Sequence, residues 1–135
     1  MSEKKLRLEI VTPQRKVFSE DVNFLVAPGS QGELGILPDH APLITSLNIG
    51  IMRIEQDGQK FKVVVSGGFM EVRNNRTTVL ANSAERAEEI DVARAQAAKK
   101  RAEERLASRS PEIDILRAEL ALRRALMRLK AAGSE

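Results

Sequence analysis

Short runs of alternating apolar and polar residues occupy the first 84 positions of the chain. Each run predicts a β-strand that buries one face, because successive side chains of a strand point to opposite sides. The runs are Leu6–Ile10, Val22–Val26, Met52–Ile54, Phe61–Val63 and Thr77–Ala81. Since none of these strands can bury its apolar face alone, we predict two sheets packed face to face, a small antiparallel β-sandwich.

Turn-forming residues separate these runs. We place turns at Pro28-Gly29, Asp57-Gly58 and Asn74-Asn75, of which Asp57-Gly58 is the strongest hairpin signal. Gly67-Gly68 interrupts an apolar segment, and a strand interior disfavours glycine. This pair therefore predicts either a β-bulge or a close approach of neighbouring backbone.

Residues after position 84 change to a helical pattern rich in Ala, Arg and Glu. Asp91 predicts the N-cap of a first helix that ends near Ala107. The segment 108–111, Ser-Arg-Ser-Pro, then breaks the helix, with Ser110 as the next N-cap and Pro111 at the first helical position. A second helix follows to about 131 and ends at a glycine, and the short connection predicts an antiparallel hairpin.

Composition supports a boundary after Ala84. The first 84 residues hold seven of the eight Gly, four of the five Pro and all four Phe, whereas the remaining 51 hold 12 Ala. Gly and Pro disfavour helices and Ala favours them. The sequence therefore predicts an α+β fold with two domains, an N-terminal antiparallel β-sandwich at 1–84 and a C-terminal antiparallel two-helix hairpin at 85–135.

The two predicted helices resemble one another. Residues 89–106 align with 112–129, an offset of 23, with ten identities in eighteen positions. Shared helix composition is an alternative origin for this repeat. In either case each helix carries arginines at i, i+7 and i+11, which lie within about 40° of one another on a helix. The two stripes consist of Arg94, Arg101 and Arg105, and of Arg117, Arg124 and Arg128.

Two interpretations of these stripes remain open. They can be a solvated face paired with Glu103, Glu104 or Glu119, or a paired set that binds phosphate oxygens when the hairpin closes. The second helix is also apolar on two sides, so its partner helix can cover only part of that surface. We infer that the second helix is an element that can detach from its partner. The apolar positions are Ile113, Leu116, Leu120 and Met127 on one side and Ile115, Leu122, Leu126 and Leu129 on the other.

Composition also limits the possible chemistry. The chain has no Cys and one His, which argues against disulfides, a Cys nucleophile and common zinc sites, and we predict no metal site and no catalytic residue. The formal charge of +3 is too small to indicate nucleic-acid binding by itself. The predicted hairpin at 85–135 also has no aromatic side chain on which a base could stack. We expect no nucleic-acid partner and no membrane insertion. A nucleotide-hydrolysing enzyme and a stand-alone nucleic-acid module are the rival classes.

Three segments give the chain its resemblance to the epsilon subunit of bacterial F-type ATP synthases. They are residues 32–43, 66–72 and 84–91, in that order, and the resemblance extends over essentially the whole chain. It implies a non-catalytic rotor subunit whose sandwich binds the gamma subunit and the c-subunit ring. It also implies a regulatory hairpin that inhibits ATP hydrolysis by extending toward the alpha and beta subunits of the catalytic head, at the cytoplasmic face of the bacterial membrane.

The resemblance also implies site residues. Glu33 and His40 match the rotor-contact loop, although His40 has the alternative of a loop histidine bonded within the loop. Residues 90–95, Ile-Asp-Val-Ala-Arg-Ala, match a nucleotide motif, although Asp91 also suits a helix cap. ATP would be a regulatory ligand, with four arginines at its phosphates and Glu85 and Asp91 at its adenosine. The implied ATP-binding residues are Glu85, Ile90, Asp91, Arg94, Ala95, Arg101, Arg124 and Arg128.

Overall fold

A computed structural model describes residues 4–108 and 110–133 of the chain. Arg109, which the sequence places in the helix break, lies outside the described residues. The chain divides into two compact units, Met1–Arg86 and Ala87–Glu135. This division falls two residues beyond the boundary expected after Ala84, and each unit is described by itself.

The first unit is the β-sandwich that the alternating pattern predicts. One continuous hydrogen-bonded sheet forms it, in the order β2-β1-β7-β6-β5-β3-β4, with β8 paired to β6. The pairs are antiparallel except that β1 and β7 run parallel. The strands are β1 Leu6–Val11, β2 Lys16–Val22, β3 Phe24–Gly29, β4 Gly32–Ile36, β5 Leu43–Gln56, β6 Gln59–Arg73, β7 Arg76–Ala81 and β8 Ala84–Arg86.

Two of the sequence predictions for the sandwich are wrong in detail. The run Val22–Val26 is split, because β2 ends at Val22 and β3 begins at Phe24, with Asn23 between them. The side-chain oxygen of Asn23 accepts the amide of Asp57 at 2.7 Å, so a residue far away in sequence stabilises this break. Pro28-Gly29 is not a turn but the end of β3. The register of β3 on β5 shifts between Val26 and Gly29, which leaves room for a proline that has no N–H to donate.

The other two turn predictions are confirmed. Asp57 and Gly58 have φ angles of 51° and 80°, and Asn74 and Asn75 have 51° and 58°, the left-handed values that tight hairpin turns require. Gly68 marks a close approach rather than a bulge, since β6 keeps its register with β5 on both sides of it. A Cβ at this position would lie 2.1 Å from a backbone oxygen of β7.

Large aliphatic side chains fill the interior of the sandwich. They come from the inward positions of nearly every strand, as the period-two pattern requires. Those among the largest that are fully buried are Phe18, Leu6, Leu8, Ile10, Leu25, Ile36, Met52, Ile54, Met70, Val22 and Val63. The core is therefore continuous and almost entirely apolar, with Thr77 as a buried polar exception.

The second unit is an antiparallel hairpin of two equal helices. After a short 3₁₀ turn at Ala87–Glu89, α1 spans Val92–Ser108 and α2 spans Ile115–Ala131, 17 residues each. The predicted start of α2 is wrong, because its N-cap is Asp114 rather than Ser110. Ser110 instead holds the connecting turn, where its hydroxyl accepts the amide of Glu112 at 3.3 Å. An ionised carboxylate caps a helix well, and the equivalence of Asp114 with Asp91 in the repeat is the signal that predicts it.

The interior of the hairpin consists mostly of alanine. Ala95 and Ala102 are the buried residues of α1, and Ala118 and Ala125 are their equivalents in α2 at the offset of 23. Leu129 is the one larger side chain among the buried residues of the two helices. The two helices therefore pack along a seam of small residues that buries little area.

Candidate functional site

Six arginines lie along the hairpin in a regular relation to the alanine seam. On each helix the arginine stripe directly precedes the packed positions, so that Arg94 comes before the buried Ala95 and Arg117 before the buried Ala118. One residue is a rotation of about 100° on a helix. Both stripes are therefore turned from the seam by the same angle and in the same sense. We call this set the arginine face, comprising Arg94, Arg101, Arg105, Arg117, Arg124 and Arg128.

The antiparallel direction of the helices brings the two stripes to one side of the hairpin. Two antiparallel helices that face each other are related by a two-fold rotation perpendicular to their axes, and equal rotations from the seam then point to the same side. If the helices were parallel, the stripes would point to opposite sides. Helix direction and the alanine seam together therefore produce a surface on which guanidinium groups of both helices meet.

Two of the three glutamates considered as partners of the stripes lie away from this surface. Glu103 follows Ala102 and Glu119 follows Ala118, so both are turned from the seam in the opposite sense to the arginines. Within the described part of the chain, the side chains of Arg94, Arg101, Arg105, Arg117 and Arg124 form no ion pair with a carboxylate. The interpretation in which Glu103, Glu104 or Glu119 neutralises the stripes is therefore not what the structure shows.

The motif at residues 90–95 forms the start of α1. The Asp91 side chain accepts the amide of Arg94 at 3.0 Å, which makes Asp91 a helix cap, and Ala95 is fully buried in the seam. The amide of Ile90 donates to the carbonyl of Ala87 at 3.2 Å. These contacts fix the direction in which Arg94 leaves the helix. A role of Asp91 and Ile90 at adenosine stays a prediction.

The four arginines predicted to bind phosphate differ in how exposed they are to solvent. Arg94, Arg101 and Arg124 are exposed, and Arg128 is half-buried. Glu85, the remaining member of the predicted ATP-binding set, belongs to the first unit, where it lies on β8 opposite Val64 of β6 and is half-buried. Its proposed contact with adenosine stays a prediction.

The sequence-based site omits two arginines that the structure places together. Arg105 and Arg117, one from each helix, line a cavity of about 260 Å³ near the turn of the hairpin. Arg101 and Arg105 line a neighbouring cavity of about 270 Å³. Both omitted residues belong to the arginine stripes, and the internal repeat is the signal that relates them to the predicted site.

The predicted rotor-contact residues are held by separate partners within the sandwich. Glu33, on β4, accepts two hydrogen bonds from the guanidinium of Arg53 at 2.8 and 3.3 Å. Nδ1 of His40 donates to the carbonyl of Ala41 at 2.7 Å, and its amide donates to Leu37 at 3.2 Å. His40 is therefore bonded within its own loop, and its contact with a partner stays a prediction.

The residue before His40 anchors the same loop. Asp39 has a φ of 63°, its amide donates to the side chain of Asn75 at 2.9 Å, and its carboxylate accepts from Lys4. This hydrogen bond and the charge of Asp39 raise the pKa of Lys4 above its ordinary value. The loop is thus tied to the turn between β6 and β7 and to the residue two positions before β1, which holds the neighbouring His40 in place.

The described residues hold neither a metal-ligand cluster nor a membrane-spanning helix. No group of three His, Asp or Glu side chains that could hold a metal ion occurs in residues 4–108 or 110–133. Neither of the helices described above is both long and apolar enough to cross a membrane.

Comparison with known proteins assigns the two units to one family. The family model of the ATP synthase delta/epsilon chain β-sandwich domain matches residues 5–87, and that of the long α-helix domain matches 88–133. An ATP synthase epsilon chain of Pelotomaculum thermopropionicum is 80% identical over 98% of this chain and 99% of its own length. One from Carboxydothermus hydrogenoformans is 67% identical over 96% of both.

Solved structures show the same fold. A chain in the mitochondrial ATP synthase of Euglena gracilis, determined with OSCP, F1 and the c-ring, superposes with a TM-score of 0.81 at 26% identity and covers 98% of this chain and 84% of its own. A chain of the Tetrahymena thermophila enzyme, solved as central stalk and c-ring, has a TM-score of 0.61 at 14% identity and shares the fold, with 98% and 99% of the two chains covered. The chain therefore belongs to the delta/epsilon family of ATP synthase subunits, within which it is an epsilon chain, a non-catalytic subunit of the stalk.

Proposed function

We propose that the hairpin binds ATP on its arginine face and that this binding holds the hairpin closed, in a rotor subunit that otherwise inhibits ATP hydrolysis. The observation that carries the proposal is the meeting, on one side of the hairpin, of two arginine stripes that belong to different helices. Guanidinium groups bind phosphate oxygens through paired, charge-assisted hydrogen bonds. A triphosphate supplies negative charge that these guanidinium groups attract.

The stripes also make the binding dependent on conformation. A ligand shifts an equilibrium between two conformations only as far as its affinities for them differ. Arg94 and Arg101 belong to α1, and Arg124 and Arg128 to α2, so only the closed hairpin presents both pairs to one ligand. When ATP is scarce, the helices separate and extend along the gamma subunit toward the alpha and beta subunits.

The turn sets a limit on the extended form. Pro111 lies in the connection between the helices. In the interior of one continuous helix a proline would cost about 3 kcal/mol. We therefore expect the extended arm to bend or break near residues 108–111 instead of forming one straight helix.

The sandwich is the part that remains attached to the rotor. On one face of it Phe69 of β6 lies directly opposite Leu80 of β7, and Ile44 of β5 lies nearby; these three side chains are 61%, 58% and 71% exposed. Exposed large apolar side chains grouped on a sheet indicate a protein-binding surface. We assign this surface to the gamma subunit, and Glu33 of β4 together with the loop that carries His40 to the c-subunit ring. In this arrangement the subunit couples ring rotation, driven by protons or sodium ions, to the catalytic head at the cytoplasmic face of the membrane.

Calorimetric titration of the full chain with ATP tests the ligand. Replacing Arg124 and Arg128 by Ala should weaken binding by at least about tenfold, because charge-assisted hydrogen bonds contribute about 1.5–3 kcal/mol each. Arg123→Ala is the matched control, since Arg123 belongs to α2 but not to the arginine face. Unchanged affinity in the double variant, or an equal loss in the control, would remove the phosphate assignment.

Truncation tests the inhibitory role. A chain without residues 89–135 keeps all eight strands and should still join the complex. ATP hydrolysis by that complex should rise relative to the complex with the full chain, most clearly at low ATP. No rise would show that the hairpin does not inhibit.

A further inference from the structure

The nucleotide motif at the start of α1 occurs a second time at the start of α2. Residues 90–95 read Ile-Asp-Val-Ala-Arg-Ala, and residues 113–118 read Ile-Asp-Ile-Leu-Arg-Ala, at the offset of 23. We infer that the closed hairpin carries a second nucleoside-triphosphate site, at the turn end, which holds the nucleotide in the reverse orientation. This inference rests on the proposed function, because the second set of residues is compared with the first.

The structure gives the two copies of the motif the same local geometry. In each copy the aspartate caps its helix, and the amide of Arg94 or Arg117 donates to the capping oxygen at 3.0 Å. In each copy the final alanine is buried in the seam, Ala95 at 0% exposure and Ala118 at 3%. The two arginines therefore leave their helices in equivalent directions, and the repeat is structural as well as compositional.

The partner helix completes both sets in the same way. At the open end, Arg94 of α1 is joined in the predicted site by Arg128 of α2. The repeat relates Arg128 to Arg105, so the equivalent pair at the turn end is Arg117 of α2 with Arg105 of α1. Arg101 and Arg124 are counterparts of one another and lie near the middle of both helices, where either site can use them.

The turn-end set lines a real cavity. The cavity of about 260 Å³ is bordered by the four motif residues whose equivalents in the first copy are predicted to bind ATP, together with the arginine from the other helix. Its lining residues are Arg105, Glu112, Ile113, Asp114, Arg117 and Ala118.

Charge sets the orientation of a nucleotide in that cavity. Arg105 and Arg117 attract phosphates, whereas Glu112 repels them and can accept hydrogen bonds from ribose hydroxyls or an amino group. The phosphates therefore extend from the turn toward Arg101 and Arg124, and the base lies at the turn. Because both sites use the two central arginines, one nucleotide binds at a time.

Photolabelling of the full-length chain with 8-azido-ATP, mapped by mass spectrometry, tests the inference. Each helix is about 25 Å long, so labelling at the two ends is distinguishable. We expect ATP-competed labelling of both segments 88–95 and 111–118. Labelling of 88–95 alone overturns the second site and leaves the proposed function intact. Labelling of 111–118 alone supports the second site and overturns the assignment of the first, and no ATP-competed labelling overturns the proposed function.

Single variants test whether the two sites are separate. Arg117→Ala should reduce labelling of 111–118 by about tenfold, as expected for one lost charge-assisted contact, and leave 88–95 labelled. Arg94→Ala should do the reverse, and Arg123→Ala should change neither. Circular dichroism of each variant checks that the helices persist. An equal loss at both segments in Arg117→Ala would indicate a single site and overturn the inference.

Discussion

The sandwich and the hairpin are built from interiors of different kinds. The sandwich buries large side chains such as Phe18, Ile10 and Met70 completely, whereas the buried residues of the two helices are mainly alanines. Fully burying a large aliphatic side chain contributes about 1.5–3 kcal/mol, and an alanine contributes far less. The sandwich therefore has a large apolar core to stabilise it, whereas the packing between the two helices of the hairpin contributes much less.

This difference suits a protein in which the sandwich keeps one conformation and the hairpin responds to a ligand, as proposed above. Most helical stability in proteins comes from tertiary packing, which is weak along the alanine seam, and the like charges of the arginine face oppose closure of the proposed hairpin switch further. A ligand that contributes a few kcal/mol can then decide whether the hairpin is closed. The same binding free energy added to the sandwich would not change its conformation, because the sandwich is already folded.

The largest loss of stability is expected from a substitution in the core of the sandwich. Met70→Ala should lower the free energy of unfolding by about 2–5 kcal/mol, because it removes a fully buried side chain and leaves a cavity. Phe69→Ala, the adjacent residue on the exposed face of the same strand, is the matched control and should cost about 0.5 kcal/mol or less. Urea unfolding followed by circular dichroism measures both, and equal effects would contradict the account of the core.

A slightly smaller loss of stability is expected at Gly68, where the backbones of β6 and β7 approach closely. Gly68→Ala places a Cβ against a carbonyl oxygen of β7 at a φ of 121°, and should cost about 3 kcal/mol. Gly35→Ala is the control, since a Cβ at Gly35 meets nothing within 4 Å. If both variants unfold at the same urea concentration, β6 and β7 do not approach as closely as described.

Substitutions of the helix caps in the hairpin should cost less stability, and the loss should be confined to the helix that is changed. Asp114→Ala removes the cap of α2 and should cost about 1 kcal/mol, read out as faster hydrogen exchange of α2 amides with unchanged exchange in the sandwich. Asp91→Ala should do the same for α1. Faster exchange in the sandwich strands of either variant would show that the two units do not unfold separately.

A gain in stability, similar in size to the loss of a helix cap, is expected from removing a buried hydroxyl. Oγ1 of Thr77 is fully buried and has no hydrogen-bond partner among the residues that the structure describes. Thr77→Val keeps the shape and removes the unsatisfied group, so it should stabilise the sandwich by about 1 kcal/mol. Thr78→Val, on the outer face, should change stability by less than about 0.5 kcal/mol. A loss of stability in Thr77→Val would mean that its hydroxyl is satisfied.

Local patterns in the sequence determined much of this protein. The strand-rich and helical parts, the turns at Asp57-Gly58 and Asn74-Asn75, the cap at Asp91 and both arginine stripes follow from residues within a few positions of one another. Such features depend on backbone conformation and helical periodicity, which neighbouring residues set. The missed cap at Asp114 was also predictable from the sequence, through its equivalence with Asp91 in the internal repeat.

Only the tertiary structure decided which distant residues meet. β1 pairs in parallel with β7, some 70 positions away, and the break at Asn23 depends on the hairpin at Asp57, which no local pattern encodes. The single arginine face likewise needed both helix direction and the alanine seam. Each stripe is a property of one helix, but the side of the hairpin it occupies is set by packing between two helices.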